Sequence, residues 1–321
     1  MGRFFRYTGA ILVCIFILSQ SVPALALIPG GEVIGIELAD GSVTVTAFDE
    51  TVGAKAQAEG LQVGDRITAI DGTIVETAED VQYALQRSNG TVVVSVLREG
   101  KQKKLTLHPQ ITSQGPKLGV YLKQGITGVG TVTWYDPETG KFAALGHGVN
   151  TPEGKLLQMQ QGKIYDAQVM SVKKGAVGKP GQLMGTLTAQ TPIGELAKNT
   201  NRGIFGTGKL HCSGVDLPRG SADQVRTGPA LIRSTVAGKG VQEYSVEILK
   251  IYPNAGAEGR NLLLKVTDPA LLNTTGGIVQ GMSGSPIIQD GKLVGAVTHV
   301  LVNDPTTGYG IFIENMLDAA A

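Results

Sequence analysis

Apolar and polar residues alternate in short runs along most of this chain, and the alternation predicts strands far more often than helices. Residues 33–38 and 42–46 read as strands, and 54–60 read as a short helix that ends on Gly60 and leads through Gly64-Asp65 into a further strand. Ile70-Asp71-Gly72 forms a hairpin-type turn, and 77–87 is an amphipathic helix with Val81, Ala84 and Leu85 on one face. Residues 92–97 and 103–107 are strands on either side of Glu99-Gly100. Beyond Pro109 no long helical period appears. Short β-rich runs recur instead at 128–135, 142–145, 163–172, 183–187, 203–208, 241–251, 261–266, 285–288, 292–299 and 309–313, which predicts a barrel or sandwich. Residues 315–321 begin a helix that packs on the outside.

Composition sharpens this picture. Glycine accounts for 45 of 321 residues, about twice the usual ~7%, and charged residues make up 17%. Tight turns between strands use glycine in this way. A net charge of +1 gives no electrostatic reason to expect a nucleic-acid partner. Residues 1–27 carry Arg3 and Arg6, an uncharged apolar run over 9–18, and Ala24-Leu25-Ala26 in small-x-small form. They predict an export segment, either a cleaved signal or a retained anchor, with the rest of the chain outside the cytoplasm. Cys14 lies within that run, so Cys212 stands alone in the exported part and no disulfide is available there.

The candidate chemistry centres on Gly281-Met282-Ser283-Gly284-Ser285-Pro286. Glycines on both sides of Ser283 allow backbone N–H groups, those of Gly281 and Ser283, to converge beside its hydroxyl as an oxyanion hole. A serine hydroxyl needs a base. Among four histidines, His147 follows an apolar run and is bracketed by Gly146 and Gly148, whereas His108 precedes Pro109, His211 adjoins Cys212 and His299 follows a strand-like run. Candidates for the third group include Asp166, Asp216, Asp223 and Asp268. No P-loop occurs, and nothing groups His, Cys, Asp and Glu at metal-ligand spacing, so neither a metal nor another cofactor is expected.

Gly-Met-Ser-Gly-Ser-Pro resembles the nucleophile loop Gly-Asp-Ser-Gly-Gly-Pro of chymotrypsin-like serine peptidases, and Leu145-Gly146-His147-Gly148 stands where their histidine motif would be. Upstream, Ala-x-x-Gly-Leu-x-x-Gly-Asp-x-Ile followed by Ile-Asp-Gly resembles a PDZ domain. Together they resemble the stage IV sporulation protein B peptidases of endospore-forming bacteria. That resemblance implies a mainly β chain: a PDZ domain over 28–110, then a chymotrypsin-like double β-barrel over 111–321. It implies Ser283 as nucleophile, His147 as base and Asp268 as the orienting carboxylate; Asp268 lies only 15 residues before Ser283, and Asp166, 19 residues after His147, is the second candidate because it fits the usual His-Asp-Ser order with more room. By PDZ analogy, Ile34, Gly35 and Ile36 are expected to bind an added peptide strand, the chain's own terminus included. The implied role is a membrane-associated or released peptidase between the two membranes around the forespore. It would cut itself and a membrane-tethered regulator of an intramembrane protease, and so activate a late sigma factor. Two other readings are an inactive PDZ adaptor and an envelope quality-control protease, although the latter usually places its PDZ domain after the peptidase.

Overall fold

The computed structural model describes residues 26–151, 154–236, 238, 240–255 and 259–321. The chain opens with strands β1 (Ala26–Pro29) and β2 (Val33–Phe48), then helix α1 (Ala54–Ala58), β3 (Arg66–Ile70), β4 (Thr73–Ile74), helix α2 (Ala78–Gln86), β5 (Val92–Arg98) and β6 (Lys101–Leu107). The hairpin β7 (Gln110–Thr112) and β8 (Gly115–Lys117) leads into β9 (Val120–Tyr135), β10 (Lys141–Ala144), β11 (Gln161–Lys173), β12 (Gln182–Leu187), β13 (Gly194–Thr200), β14 (Gly203–Gly208) and β15 (Leu217–Pro218). The last part holds β16 (Gly228–Thr235), β17 (Val241–Ile251), β18 (Leu262–Val266), helix α3 (Pro269–Thr275), β19 (Pro286–Gln289), β20 (Lys292–Leu301), β21 (Asp304–Phe312) and helix α4 (Ile313–Ala320). The export segment expected at 1–27 lies outside the described residues except for its last two, which begin β1. No helix among the described residues is long and apolar enough to cross a membrane.

Two closed barrels and a PDZ domain make up the mainly β fold, as expected. Barrel one runs β9-β10-β14-β13-β11-β2 and closes by pairing of β2 with β9; barrel two runs β16-β17-β18-β21-β20-β19. Each has its own apolar filling: Ile36, Leu38, Val132, Phe142, Ile164 and Ile204 in the first, and Ile232, Val246, Leu264, Ile287 and Val297 in the second.

The PDZ domain does not precede the barrels as a separate unit. It is inserted into the first one. Strand β2 pairs with β9 from Val33↔Thr131 through to Phe48↔Val120, so both strands begin in one body and end in the other. Their halves at 33–38 and 126–131 are barrel staves, whereas Val43 and Val45 on β2 join Ile67, Leu85, Val96, Leu107 and Leu118 in the PDZ core. The expected boundary at 110/111 is therefore replaced by a two-strand junction. A pair of hydrogen-bonded strands resists twisting more than a single linker does.

Asp65, almost wholly buried, takes part in stabilising the PDZ domain. Its carboxylate accepts hydrogen bonds from Arg98 Nε and Nη2 at 2.6 and 2.7 Å, and Arg98 Nη2 also donates to the Gly60 carbonyl. A buried charge without such a partner would be strongly destabilising.

Candidate active site

His147 reaches its place through a sharp local turn. Leu145 and Gly146 both have positive φ, 71° and 68°, which redirects the chain at the end of β10 so that the histidine faces the cleft between barrels. Positive φ is costly for a residue such as leucine and is tolerated where the surroundings fix it. Here the Leu145 N–H donates to the Thr131 carbonyl of β9 at 3.3 Å. The segment after His147 is tied down by Asn199 on β13, which bonds both the N–H and the carbonyl of Val149 and also the Leu157 carbonyl.

Ser283 comes from the other barrel. Gly281 and Gly284 each have φ of 98°, and Met282 between them is fully buried in the core of barrel two, anchoring the loop. Strand β9 of barrel one grips the loop along its backbone: Thr131 N–H donates to Ser283 O at 3.1 Å, Thr131 Oγ1 to Gly281 O at 2.7 Å, and Thr133 Oγ1 to Gly284 O at 2.8 Å. The N–H groups of Gly281 and Ser283 have no hydrogen-bond partner among the described residues, which leaves two donors beside the serine.

His147 and Ser283 line one cleft of about 480 Å³, together with Gly128, Val129, Gln280, Thr298, His299 and Val300. The Ser283 hydroxyl donates to the Thr298 carbonyl at 2.8 Å, and no hydrogen bond joins it to His147. The His147 Nδ1 lies 2.8 Å from the Gly148 carbonyl. A carbonyl can only accept, so Nδ1 carries the proton and Nε2 keeps its lone pair. Burial pushes the pKa of His147 below the ordinary histidine value, opposed by that carbonyl. The ring is therefore neutral at neutral pH and able to take a proton.

The structure does not bring Asp268 to this cleft. Its side chain caps helix α3, accepting from the Leu271 N–H at 3.0 Å and from the Ser245 N–H at 3.4 Å. An aspartate followed by proline at a helix start serves this purpose well. Alanine at 268 should cost about 1 kcal/mol through the lost cap, seen as a fall in Tm of ~2–4 °C. Asp166 sits on β11 opposite Ile34 and does not line the cleft. No Asp or Glu is among the cleft's lining residues.

Ile34, Gly35 and Ile36 are also placed elsewhere than expected. As staves of barrel one they pair with Gly128–Gly130 on one side and with Ile164–Asp166 on the other, so neither edge is open to a peptide. The groove with PDZ geometry lies between α2 and the start of β9, a cavity of about 650 Å³ lined by Val81, Gln82, Leu85, Leu118, Gly119, Val120 and Leu122. There β9 pairs with β2 on one edge only, and its other edge faces the helix. Gly119 turns the chain into that strand with φ of 66°, and a Cβ there would meet backbone atoms of Val52 and Gly53 at 2.3–2.4 Å. Lys117-Leu118-Gly119-Val120 was the signal in the sequence, hidden because it reads as the tail of one domain and the first strand of the next.

Cys212 has no nucleophilic prospect: burial and the Glu32 carboxylate both push its thiol pKa upward, away from thiolate. No group of three or more His, Cys, Asp or Glu able to hold a metal occurs among the described residues.

Residues 114–317 match the family described as SpoIVB peptidase S55, and residues 50–99 match a PDZ domain. The chain belongs to the SpoIVB peptidase S55 family. Its PDZ domain is set into its first barrel. Among curated proteins, one named for zinc metalloprotease activity in Mesorhizobium japonicum is 38% identical over 80 residues, covering 25% of this chain and 22% of that protein. One so named in Vibrio cholerae is 34% identical over 125 residues, covering 38% and 26%. This SpoIVB-family chain thus spans about a quarter of the length of the curated relatives it matches. It has no His-Glu-x-x-His motif. Among solved structures, the active form of the Rv3671c protease of M. tuberculosis is 14% identical with a TM-score of 0.37, covering 60% of this chain and 72% of that one. The PDZ domain of an SdrC-like protein of Listeria monocytogenes is 24% identical with a TM-score of 0.22, covering 26% and 87%. Likenesses this distant decide nothing about chemistry.

Proposed function

We propose that this peptidase is a regulatory enzyme of sporulation. It works outside the cytoplasm, between the membranes around the forespore, held at the membrane by its N-terminal segment or released from it. Its substrate is the extracytoplasmic part of a membrane-tethered regulatory subunit of an intramembrane protease. Cutting that subunit frees the protease and leads to late sigma-factor activation, and the enzyme also cuts itself. In this reading Ser283 Oγ attacks the scissile carbonyl while His147 Nε2 takes its proton, and His147 then returns the proton to the leaving amine. The N–H groups of Gly281 and Ser283 hold the oxyanion. The PDZ groove takes a peptide as an added strand on β9, the chain's own terminus being one candidate.

The observation that supports this most is the meeting of His147 and Ser283 in one cleft from opposite barrels. Family membership favours the sporulation role over general proteolysis, and a PDZ domain joined to a barrel by two continuous strands suits an enzyme whose activity answers to peptide binding. The test uses the full chain and a Ser283→Ala copy, each incubated with the purified extracytoplasmic part of such a regulatory subunit. The active chain should cut both the subunit and the Ser283→Ala copy, and the copy alone should cut neither. An uncut subunit beside normal self-cleavage would remove the regulatory assignment. Equal cutting by both chains would remove Ser283 from the reaction.

A further inference from the structure

With Asp268 and Asp166 elsewhere, the question is what orients His147. In serine peptidases generally, a third group fixes the imidazole and supports the positive charge that forms on it. Among the described residues no Asp or Glu lines this cleft. The ring beside His147 is another imidazole, that of His299, with ring centroids 5.1 Å apart and planes tilted by 38°. His299 follows Thr298 on β20, and it is the Thr298 carbonyl that holds the Ser283 hydroxyl. One short segment of barrel two thus touches the nucleophile through its backbone and the base through its side chain. The Nδ1 atom of His299 is buried and has no hydrogen-bond partner among the described residues. A buried, unpartnered ring nitrogen is costly, and such exceptions call for an explanation.

We propose that His299 is the positioning residue of this site: its imidazole packs against that of His147 and holds the base in the orientation that faces Ser283. The proposal rests on the Ser283–His147 reading above. Two features make the neighbour suitable. The Gly148 carbonyl already sets the His147 tautomer, so what remains to be supplied is a wall that stops the ring from swinging away. Also, His299 stays neutral when His147 gains a proton. Burial, the proximity of His147 and the charge of Arg260 together lower its pKa to about 4. Arg260 lies over the Tyr309 ring, 5.5 Å from its centroid, and Tyr309 pairs opposite His299 across β20 and β21. Two imidazoles this close cannot readily both be charged, and the environment of His299 leaves the proton to its neighbour.

The pH dependence follows in sign. Activity requires neutral His147, so it is lost as pH falls through the pKa of that residue. Burial puts that pKa below the ordinary ~6.5, and the acid limb of the wild-type profile should lie there too. His299→Ala lets water reach the base, and the limb should move up toward the ordinary value.

The experiment follows covalent labelling of Ser283 by a fluorophosphonate as a function of pH, together with peptide-cleavage kinetics, for full-length wild type, His299→Ala, His299→Gln and Asp268→Asn. His299→Ala should lower kcat by ~10²-fold, the scale of a misplaced catalytic group. KM should change less than about twofold, since the substrate is still bound. Its acid limb should shift upward, and His299→Gln, of similar length, should recover part of the rate. Unchanged kcat and an unmoved limb in both His299 variants would overturn the proposal, as would the same loss and shift appearing in Asp268→Asn instead. Thermal unfolding of each variant separates a failed fold from a failed site, and the glutamine variant preserves the test if alanine does not fold. Absence of labelling in the wild type would sink the Ser283–His147 reading itself, an outcome distinct from labelling that ignores His299.

Discussion

Alanine at Ser283 and alanine at His147 should each lower kcat for peptide cleavage by about 10⁴- to 10⁶-fold, and the double substitution should be little worse than either one. The expectation comes from how the two side chains share one step. The Ser283 hydroxyl at neutral pH is a weak nucleophile, and only removal of its proton as it attacks makes it a useful one. His147 is placed to remove it: Nδ1 is committed to the Gly148 carbonyl, so the lone pair is on Nε2. Losing the hydroxyl or the lone pair stops the same event, which is why the losses do not add. Part of the rate survives because the free N–H groups of Gly281 and Ser283 belong to the backbone and remain in either variant. In the free enzyme the Ser283 hydroxyl rests on the Thr298 carbonyl, so a rotation about its Cα–Cβ bond must accompany attack. Catalytic hydrogen bonds that form only with substrate present are common. Single-turnover kinetics on both variants, with Tm measured alongside, would check the result. Two modest and additive losses would show that the residues work independently, and the shared step would be ruled out.

Much of the fold was legible in the order of residues. Alternating short runs and frequent glycine specify strands and tight turns locally, and strands are what formed. The insertion of the PDZ domain into barrel one was not legible. Residues 33–38 and 42–46 read as two strands of one small domain, because periodicity reports which face of a strand is buried and says nothing about which sheet owns it. Ownership is decided by partners far along the chain: Ile36 pairs with Gly128 and Ile164. The misplacement of the PDZ groove has the same origin. Apolar residues flanking a glycine describe Ile34-Gly35-Ile36 and Leu118-Gly119-Val120 equally well, and only the second has an open strand edge facing a helix.

Ser283 and His147, which meet in one cleft, each carry a glycine signature that serves its own local geometry. The group beside the imidazole carries none. Resemblance points to Asp268, yet an aspartate just before a proline is also what a helix start needs, and that demand is met at short range. His299 carried no local mark, because its significance lies in a ring 152 positions earlier, at His147. Thr131 and Thr133 left a fainter trace. They alternate with Val132 and Trp134 on β9, and both are fully buried, so this strand has a polar face inside the protein. That face is the joint between the barrels.

Gly284→Ala should break that joint, lowering stability by roughly 4 kcal/mol or more, in the range of a clash imposed on a well-packed core, with a fall in Tm of ~10 °C. A methyl group at this position would sit 2.0 Å from the Thr131 carbonyl oxygen and 2.5 Å from the Leu145 nitrogen. Those two atoms are themselves hydrogen-bonded, so neither can withdraw without giving up its partner. The φ of 98° adds strain for any residue with a Cβ. What makes the site sensitive is that Thr131 holds both loops of the cleft: its N–H donates to Ser283 O, and its carbonyl accepts from Leu145, two residues before His147. Displacing β9 by a few tenths of an ångström would move nucleophile and base apart, so peptidase activity should be lost even at temperatures where the variant remains folded. Gly291→Ala is the matched control. It also has positive φ, 71°, but a Cβ there meets open space, so its cost should be only the backbone strain of about 1 kcal/mol, with activity retained. Thermal unfolding and peptide cleavage measured on the two variants side by side would decide the matter. Equal Tm values for both would mean that the barrels are not joined through Gly284.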